Sequence, residues 1–197
     1  MNKNTLAALK IELGEYREAL PVFEMKEQQL KGIVQSLEDA ITVLEKDIRK
    51  TNEKIKKWVA VLAEEGVELD KMVKVEKVLT EQHEIVGVNL ESYVDIHFNV
   101  VEPDYFTTPL WVGAATEHII TQKTNHTILT IEKKKLELLQ EELAEARRMK
   151  NALKEVFIPE TMETIRKIEI YLGDVERLAI GCAKLVKKKK QEKQVTA

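Results

Sequence analysis

The sequence predicts a mainly α protein: a long antiparallel two-helix coiled coil with a small β-hairpin region between the helices. Three observations carry that prediction. A seven-residue apolar repeat runs through the N-terminal part, a second block of three-and-four spacing fills the C-terminal part, and between them the period falls to two. Composition favours the same architecture, since of 197 residues 33% are charged, 44% apolar and 5% aromatic, with only 7 Gly and 4 Pro. A compact core of this size would draw on more aromatic and turn residues.

The first helix rests on two rows. Stepping by seven from Leu6 gives Leu13, Leu20, Glu27, Val34, Ile41, Ile48, Ile55 and Leu62, in which Glu27 alone is polar. Stepping by seven from Leu9 gives Tyr16, Phe23, Leu30, Leu37, Leu44, Thr51, Trp58 and Glu65. Paired rows of this spacing, held over about nine heptads, make a coiled-coil seam, because a 3.5-residue repeat keeps one stripe facing a partner helix. Glu45-Lys46-Asp47 and Arg49-Lys50 fall between the rows as solvated flanks. Roughly 60 residues at about 1.5 Å each correspond to a helix on the order of 90 Å long. Pro21 removes one backbone donor and crowds the carbonyl of Arg17, so a kink or short break is expected near residues 17–21.

Between the helices, Val94, Ile96, Phe98 and Val100 alternate with Asp95, His97 and Asn99, the pattern of a half-buried strand. A shorter extended piece, Ile85 to Leu90 with Gly87 inside, precedes it, and Pro103 and Pro109 bracket a turn around Asp104 and Tyr105. Residues 84–114 therefore read as the hairpin region, and two long helices joined by such a cap run antiparallel with both termini together.

The second helix starts near Thr116 and carries Ile119, Ile120, Leu129, Leu136, Leu139, Leu143, Ala146, Met149, Leu153 and Val156. After Pro159 the rows resume as Ile165, Ile168, Leu172, Val175, Ala179, Cys182 and Val186. The two blocks do not share one heptad phase, so the seam must slip or kink between Leu153 and Ile165, where Pro159 sits. Gly173 and Gly181 loosen the last part, each at a cost of about 1 kcal/mol relative to Ala. The chain then divides into an N-terminal coiled-coil helix over 1–68, a connecting segment with a short helix and the hairpin over 69–115, a C-terminal coiled-coil helix over 116–190 and a disordered tail over 191–197.

Several function classes fall away on composition. With 31 basic against 34 acidic residues the net charge of −3 argues against nucleic acid or an anionic membrane as the main partner. One cysteine, Cys182, excludes an internal disulfide and fits a reducing compartment. Glu12, Glu15 and Glu18 interrupt the N-terminal stretch where a signal peptide needs apolar residues, and no window approaches 18 uncharged apolar residues. The reading is a soluble chain that reaches a membrane only through a partner.

No catalytic, cofactor-binding or metal-binding residue is assigned, and no cofactor is expected. His83, His97, His118 and His126 form no ligand spacing, and His118 and His126 stand two helical turns apart, too far to share one ion. Gly87, Gly113, Gly173 and Gly181 stand alone, so no phosphate cradle can be drawn. Cys182 lies on an apolar row and reads as packed, and Trp58 and Trp111 read as core. Lys187-Lys188-Lys189-Lys190 reads as a solvated helix end suited to the negative pole of the helix, in preference to a polyanion site, with an acidic protein surface as a third reading.

One stretch is more specific. Arg147-Arg148-Met149-Lys150-Asn151-Ala152-Leu153-Lys154-Glu155-Val156-Phe157-Ile158-Pro159, followed by Thr164-Ile165 and Glu176-Arg177, resembles the C-terminal helix of the D subunit of the V-type/A-type rotary ATP synthases. Glu84-Ile85-Val86-Gly87-Val88 resembles the start of that family's central hairpin. Asn4-Thr5-Leu6 and Phe23-Glu24-Met25-Lys26-Glu27 depart from the family's Pro-Thr-Arg and basic segments, as does Pro21, which suggests a divergent member.

The resemblance implies a non-catalytic central-stalk rotor shaft that couples ATP hydrolysis or synthesis to ion translocation. It implies as partners the catalytic A and B subunits of the hexamer, the small F subunit of the stalk and a membrane-ring adaptor subunit, with no direct membrane insertion and a cytoplasmic, peripheral location. The functional surface it implies comprises the heptad rows and the exposed faces over Lys3 to Arg17 and Arg177 to Lys190. The alternative is a prefoldin-like chaperone subunit, also two coiled-coil helices joined by hairpins; a generic coiled-coil scaffold is the plainer one.

Overall fold

The structure, a computed structural model, describes residues 2–56, 72–101, 109 and 111–195. Along the chain come helix α1 (Lys3–Lys56), strands β1 (Val73–Ile85) and β2 (Val88–Val100), helix α2 (Trp111–Ala152), a π-helical turn (Leu153–Phe157) and helix α3 (Ile158–Val195). They form two compact units, one of Lys26–Glu145 and one of Met1–Met25 with Ala146–Ala197.

In the unit of Lys26–Glu145, the apolar rows bury themselves as their spacing requires. Leu30, Val34, Ile41 and Ile48 of α1 are buried, as are Val112, Ala115, Ile131 and Leu139 of α2. Cross-helix partners fix the sense of the packing. Glu38 accepts a hydrogen bond from Gln140 at 3.0 Å and Glu45 pairs with Lys133 at 2.7 Å, so a seven-residue advance on α1 meets a seven-residue retreat on α2, and the pair is antiparallel. Lys26 and Glu142 form a further pair. Buried Thr116 spends its hydroxyl on the Val112 carbonyl at 2.9 Å, one turn back.

The hairpin of this unit is longer and earlier than the alternation alone indicates. β1 and β2 pair antiparallel from Val73↔Val100 to Ile85↔Val88, so the extended piece expected at Ile85–Leu90 is the tip of the hairpin and Gly87 is its turn. Val86 (φ 54) and Gly87 (φ 82) both adopt positive φ, the requirement of a two-residue I′ loop whose twist matches the strands. Glu76 on β1 and Val94 on β2 are each an extra residue at a register shift, and the Glu76 bulge breaks the strict alternation that would have revealed β1. The short helix expected in the connecting segment, the row members Trp58, Leu62 and Glu65, and the turn expected at Pro103 to Tyr105 lie outside the described residues.

In the other unit, α1 begins at an Asn2 cap, whose side-chain Oδ1 accepts from the Thr5 amide at 2.8 Å and so satisfies one of the free donors of the first turn. α1 continues through Pro21 without a break. A proline forfeits a single intrahelical bond, and half-buried Tyr16, Leu20 and Phe23 on either side hold the helix to its partner. The expected slip at Pro159 takes the form of the π-turn. The Ile158 amide reaches back to the Leu153 carbonyl, five residues away, one more than an α-helix spans. Buried residues accordingly step by seven from Leu139 to Ala146 to Leu153, then by eight to Thr161, then by seven to Ile168.

Met149 and Val156, expected on the seam with Ala146 and Leu153, are exposed, whereas Ala146, Leu153 and Thr161 are buried. α3 runs to Val195, past residue 190 where a tail is expected to replace the helix.

Candidate functional surface

Both the N-terminal part of α1 and the whole of α3 belong to one unit, and the surface expected over Lys3 to Arg17 and Arg177 to Lys190 lies there. Lys3 pairs with Glu176 at 3.3 Å, Lys10 with Glu169 at 2.7 Å, and Arg17 donates to the Met162 sulfur at 3.5 Å. Steps of seven on α1 again match steps of seven backwards on α3, so these contacts line one flank of an antiparallel seam. All are well exposed, and each contributes little to stability. Their use is to set register.

Under this flank, Tyr16 stacks on Phe157 of the π-turn with ring centroids 5.6 Å apart. Its hydroxyl donates to Glu12 at 2.6 Å, and that bond, with the nearby charge of Glu12 and Glu15, raises the phenol above its ordinary range.

The opposite flank of α3 is different in kind. Glu169 and Glu176 follow the seam residues Ile168 and Val175 by one position, whereas Tyr171, Leu178 and Leu185 precede the other seam row by one and so lie across the seam. Leu178 is 69% and Leu185 62% exposed. A hollow over Gly181 continues this face, lined by Asp174, Arg177, Leu178, Cys182 and Leu185. Lys3, in the first turn of α1 after the Asn2 cap, stands opposite Glu176. Cys182, expected to be packed, is exposed, as are Val175, one heptad before it, and Val186 of the other row. Lys187 to Lys190 are exposed on helix rather than at its end.

Sequence reasoning placed the seam and missed the apolar flank. Its signal was available as the heptad Tyr171, Leu178, Leu185 beside the seam row, but a repeat alone does not say which of its copies stay exposed. The four histidines remain apart: His83 shares a hydrogen bond with Ser92 at 3.2 Å, His118 is half-buried, and His97 and His126 are exposed. Among the described residues no three His, Cys, Asp or Glu gather as for a metal ion, and no helix is long and apolar enough to cross a membrane.

Known proteins share this layout at sequence level. The family model of the ATP synthase D subunit matches residues 5–188. The V-type ATP synthase D subunit of Borreliella burgdorferi is 28% identical over 187 residues, covering 95% of this chain and 92% of the relative. That of Chlamydia pneumoniae is 24% identical over 196 residues, covering 96% and 91%, and that of Chlamydia trachomatis serovar L2 is 26% identical over 200, covering 98% and 96%. Low identity spread over nearly full length is what a coiled coil permits, since its seam constrains residue class more than residue identity. A match that runs from the first turn of α1, through the hairpin and the π-turn, to the lysine run of α3 places this chain in the family of ATP synthase D subunits.

Proposed function

We propose that the chain is the central-stalk rotor shaft of a V-type/A-type ATP synthase, coupling ATP hydrolysis or synthesis in a catalytic hexamer to ion translocation. The observation that carries the proposal is family membership over residues 5–188, together with relatives each named as the D subunit of a V-type ATP synthase. The antiparallel seam supports it. A shaft must resist twist, and interlocking seam side chains with flanking ion pairs oppose sliding of one helix along the other.

The unit that carries both α1's start and α3 would sit within the hexamer of A and B subunits. Its exposed apolar flank, Tyr171, Leu178 and Leu185, suits a sleeve of the hexamer, and the asymmetry of one charged and one apolar flank gives the three nucleotide sites unequal surfaces to meet as the shaft turns. Nucleotide chemistry belongs to those partners. The hairpin unit would meet the small F subunit of the stalk and the membrane-ring adaptor, leaving the chain peripheral to the membrane and cytoplasmic. Nothing in the fold favours the prefoldin-like chaperone, and family membership leaves that reading without support.

Purification of a tagged chain from its native cell, after membrane extraction in mild detergent, tests the proposal. The expected outcome is recovery of A- and B-type subunits and a small F-like protein, with ATPase activity. Recovery of chaperone siblings or nascent chains without ATPase subunits would overturn it.

A further inference from the structure

Within the unit of Lys26–Glu145, the hairpin is attached to the helices unevenly. At its base, Val73 is fully buried, its carbonyl accepts from Lys123 of α2 at 2.6 Å, and the Val101 amide donates to the Met72 carbonyl at 2.9 Å. At the tip, one fully buried side chain meets the helices: Leu90, 1% exposed. Hollows flank it on both sides. A hollow of about 340 Å³ lies on one side, between Gln82, Asn89 and Glu91 of the hairpin and Ile131, Lys134 and Leu138 of α2. A second of about 250 Å³ lies on the other, where His83 and Ile85 face Ile33, Leu37, Glu132 and Leu139.

We propose that the hairpin is a latched arm: it pivots at the Val73–Lys123 base and leaves the helix pair at its tip when Leu90 withdraws from its socket. Internally the arm is self-sufficient, because its backbone donors and acceptors pair across the ladder from Val73↔Val100 to Ile85↔Val88 and closure by the Val86-Gly87 loop keeps the strands together. Undocking the tip therefore breaks no strand pairing. The hollows on either side of Leu90 open to solvent, so the tip is held through a narrow strip of contact rather than a continuous interface. Withdrawal exposes Leu90 and, nearer the base, Ile96 on the arm, and an apolar strip over Leu37, Ile131 and Leu139 on the helices. The base differs in kind: releasing it would strand the Lys123 ammonium and uncover Val73. The arm thus has a firm pivot and a weak latch, and it moves without unfolding α1 or α2. This goes beyond the rotor reading and does not depend on it.

Electron–electron distance measurements on the full chain test the latch. In a Cys182→Ser background, spin labels at Glu84→Cys and Glu137→Cys report the tip, and labels at Glu76→Cys and Glu117→Cys report the base, all four being exposed positions. Leu90→Ala is expected to raise the long-distance fraction of the tip pair by more than about tenfold, while the base pair and the far-ultraviolet helix signal stay as in the parent. An unchanged tip pair would show that Leu90 is no latch. Broadening of both pairs, or loss of helix signal, would show that the hairpin is an integral part of the helix core, and either result overturns the proposal.

Discussion

Val86 is the residue where local chemistry and fold disagree most. A β-branched side chain at φ 54 crowds its own carbonyl, a conformation that Gly or Asn adopts at far smaller cost. Val86→Asn should stabilise the chain by about 1 kcal/mol and raise its melting temperature by a few degrees. Gly87→Val, at φ 82, should destabilise it by a similar or larger amount. An unchanged melting temperature in both variants would show that the loop does not need positive φ. Gly181 is a simpler case, because a Cβ added there meets no atom within 4 Å, so Gly181→Ala should stabilise α3 by about 1 kcal/mol, read as slower amide exchange in its last turns. The pair Lys133–Glu45 makes a pH-dependent prediction. The Lys133 hydrogen bond and charge hold the Glu45 carboxyl below its ordinary range, so its small stabilising effect is present above about pH 4.3 and is lost as the pH falls through the lowered value. Parent and Glu45→Gln should thus differ slightly in melting temperature at pH 7 and converge as the carboxyl protonates on acidification. Divergence on acidification would contradict the assignment.

Among the elements, helices were legible and the hairpin half so. Two apolar rows place α1 from Leu6 to Ile48 because burial of one stripe is a property of spacing alone. β2 showed itself through Val94, Ile96, Phe98 and Val100, but β1 did not: of its residues only Val73 is buried, and the Glu76 bulge shifts the phase of what remains. A strand that rests on its partner rather than on a core leaves little hydrophobic pattern to read. The phase break near Pro159 was likewise visible, whereas its form was not, since a kink and a π-turn answer the same missing donor. A wider turn eases the crowding that the Pro159 ring imposes on the Glu155 carbonyl. Deleting Glu155 alone should therefore force proline into a regular α-helix and cost about 3 kcal/mol, while the same deletion combined with Pro159→Ala should recover most of that loss, as measured by thermal unfolding. Equal losses in both variants would mean that the turn has another cause.

For the whole molecule, the helical layout could be read from the apolar rows and the family from residues 147–177, while the exposure of single side chains on α3 could not, because a repeat does not say which of its copies a partner helix covers. Leu178 and Leu185 are the clearest instance. Replacing both with Ser should leave the stability of the isolated chain within about 0.5 kcal/mol of the parent, since neither is buried. Association with the hexamer should weaken at least about tenfold in the same variant. Retained association in a binding assay would move the contact elsewhere on the chain. The eight-residue step at the π-turn has one more consequence. A pattern that repeats every seven residues coincides with itself after a slide of seven, so Lys10 could meet Glu176 as readily as Glu169, and the helices α1 and α3 would have several nearly equivalent alignments. A single break in translational symmetry removes that degeneracy: once Phe157 lies under Tyr16, no displaced alignment brings the odd step back to the same neighbour. The π-turn indexes the shaft as a dowel indexes a joint, and one interrupted period in an otherwise periodic chain selects one alignment among many.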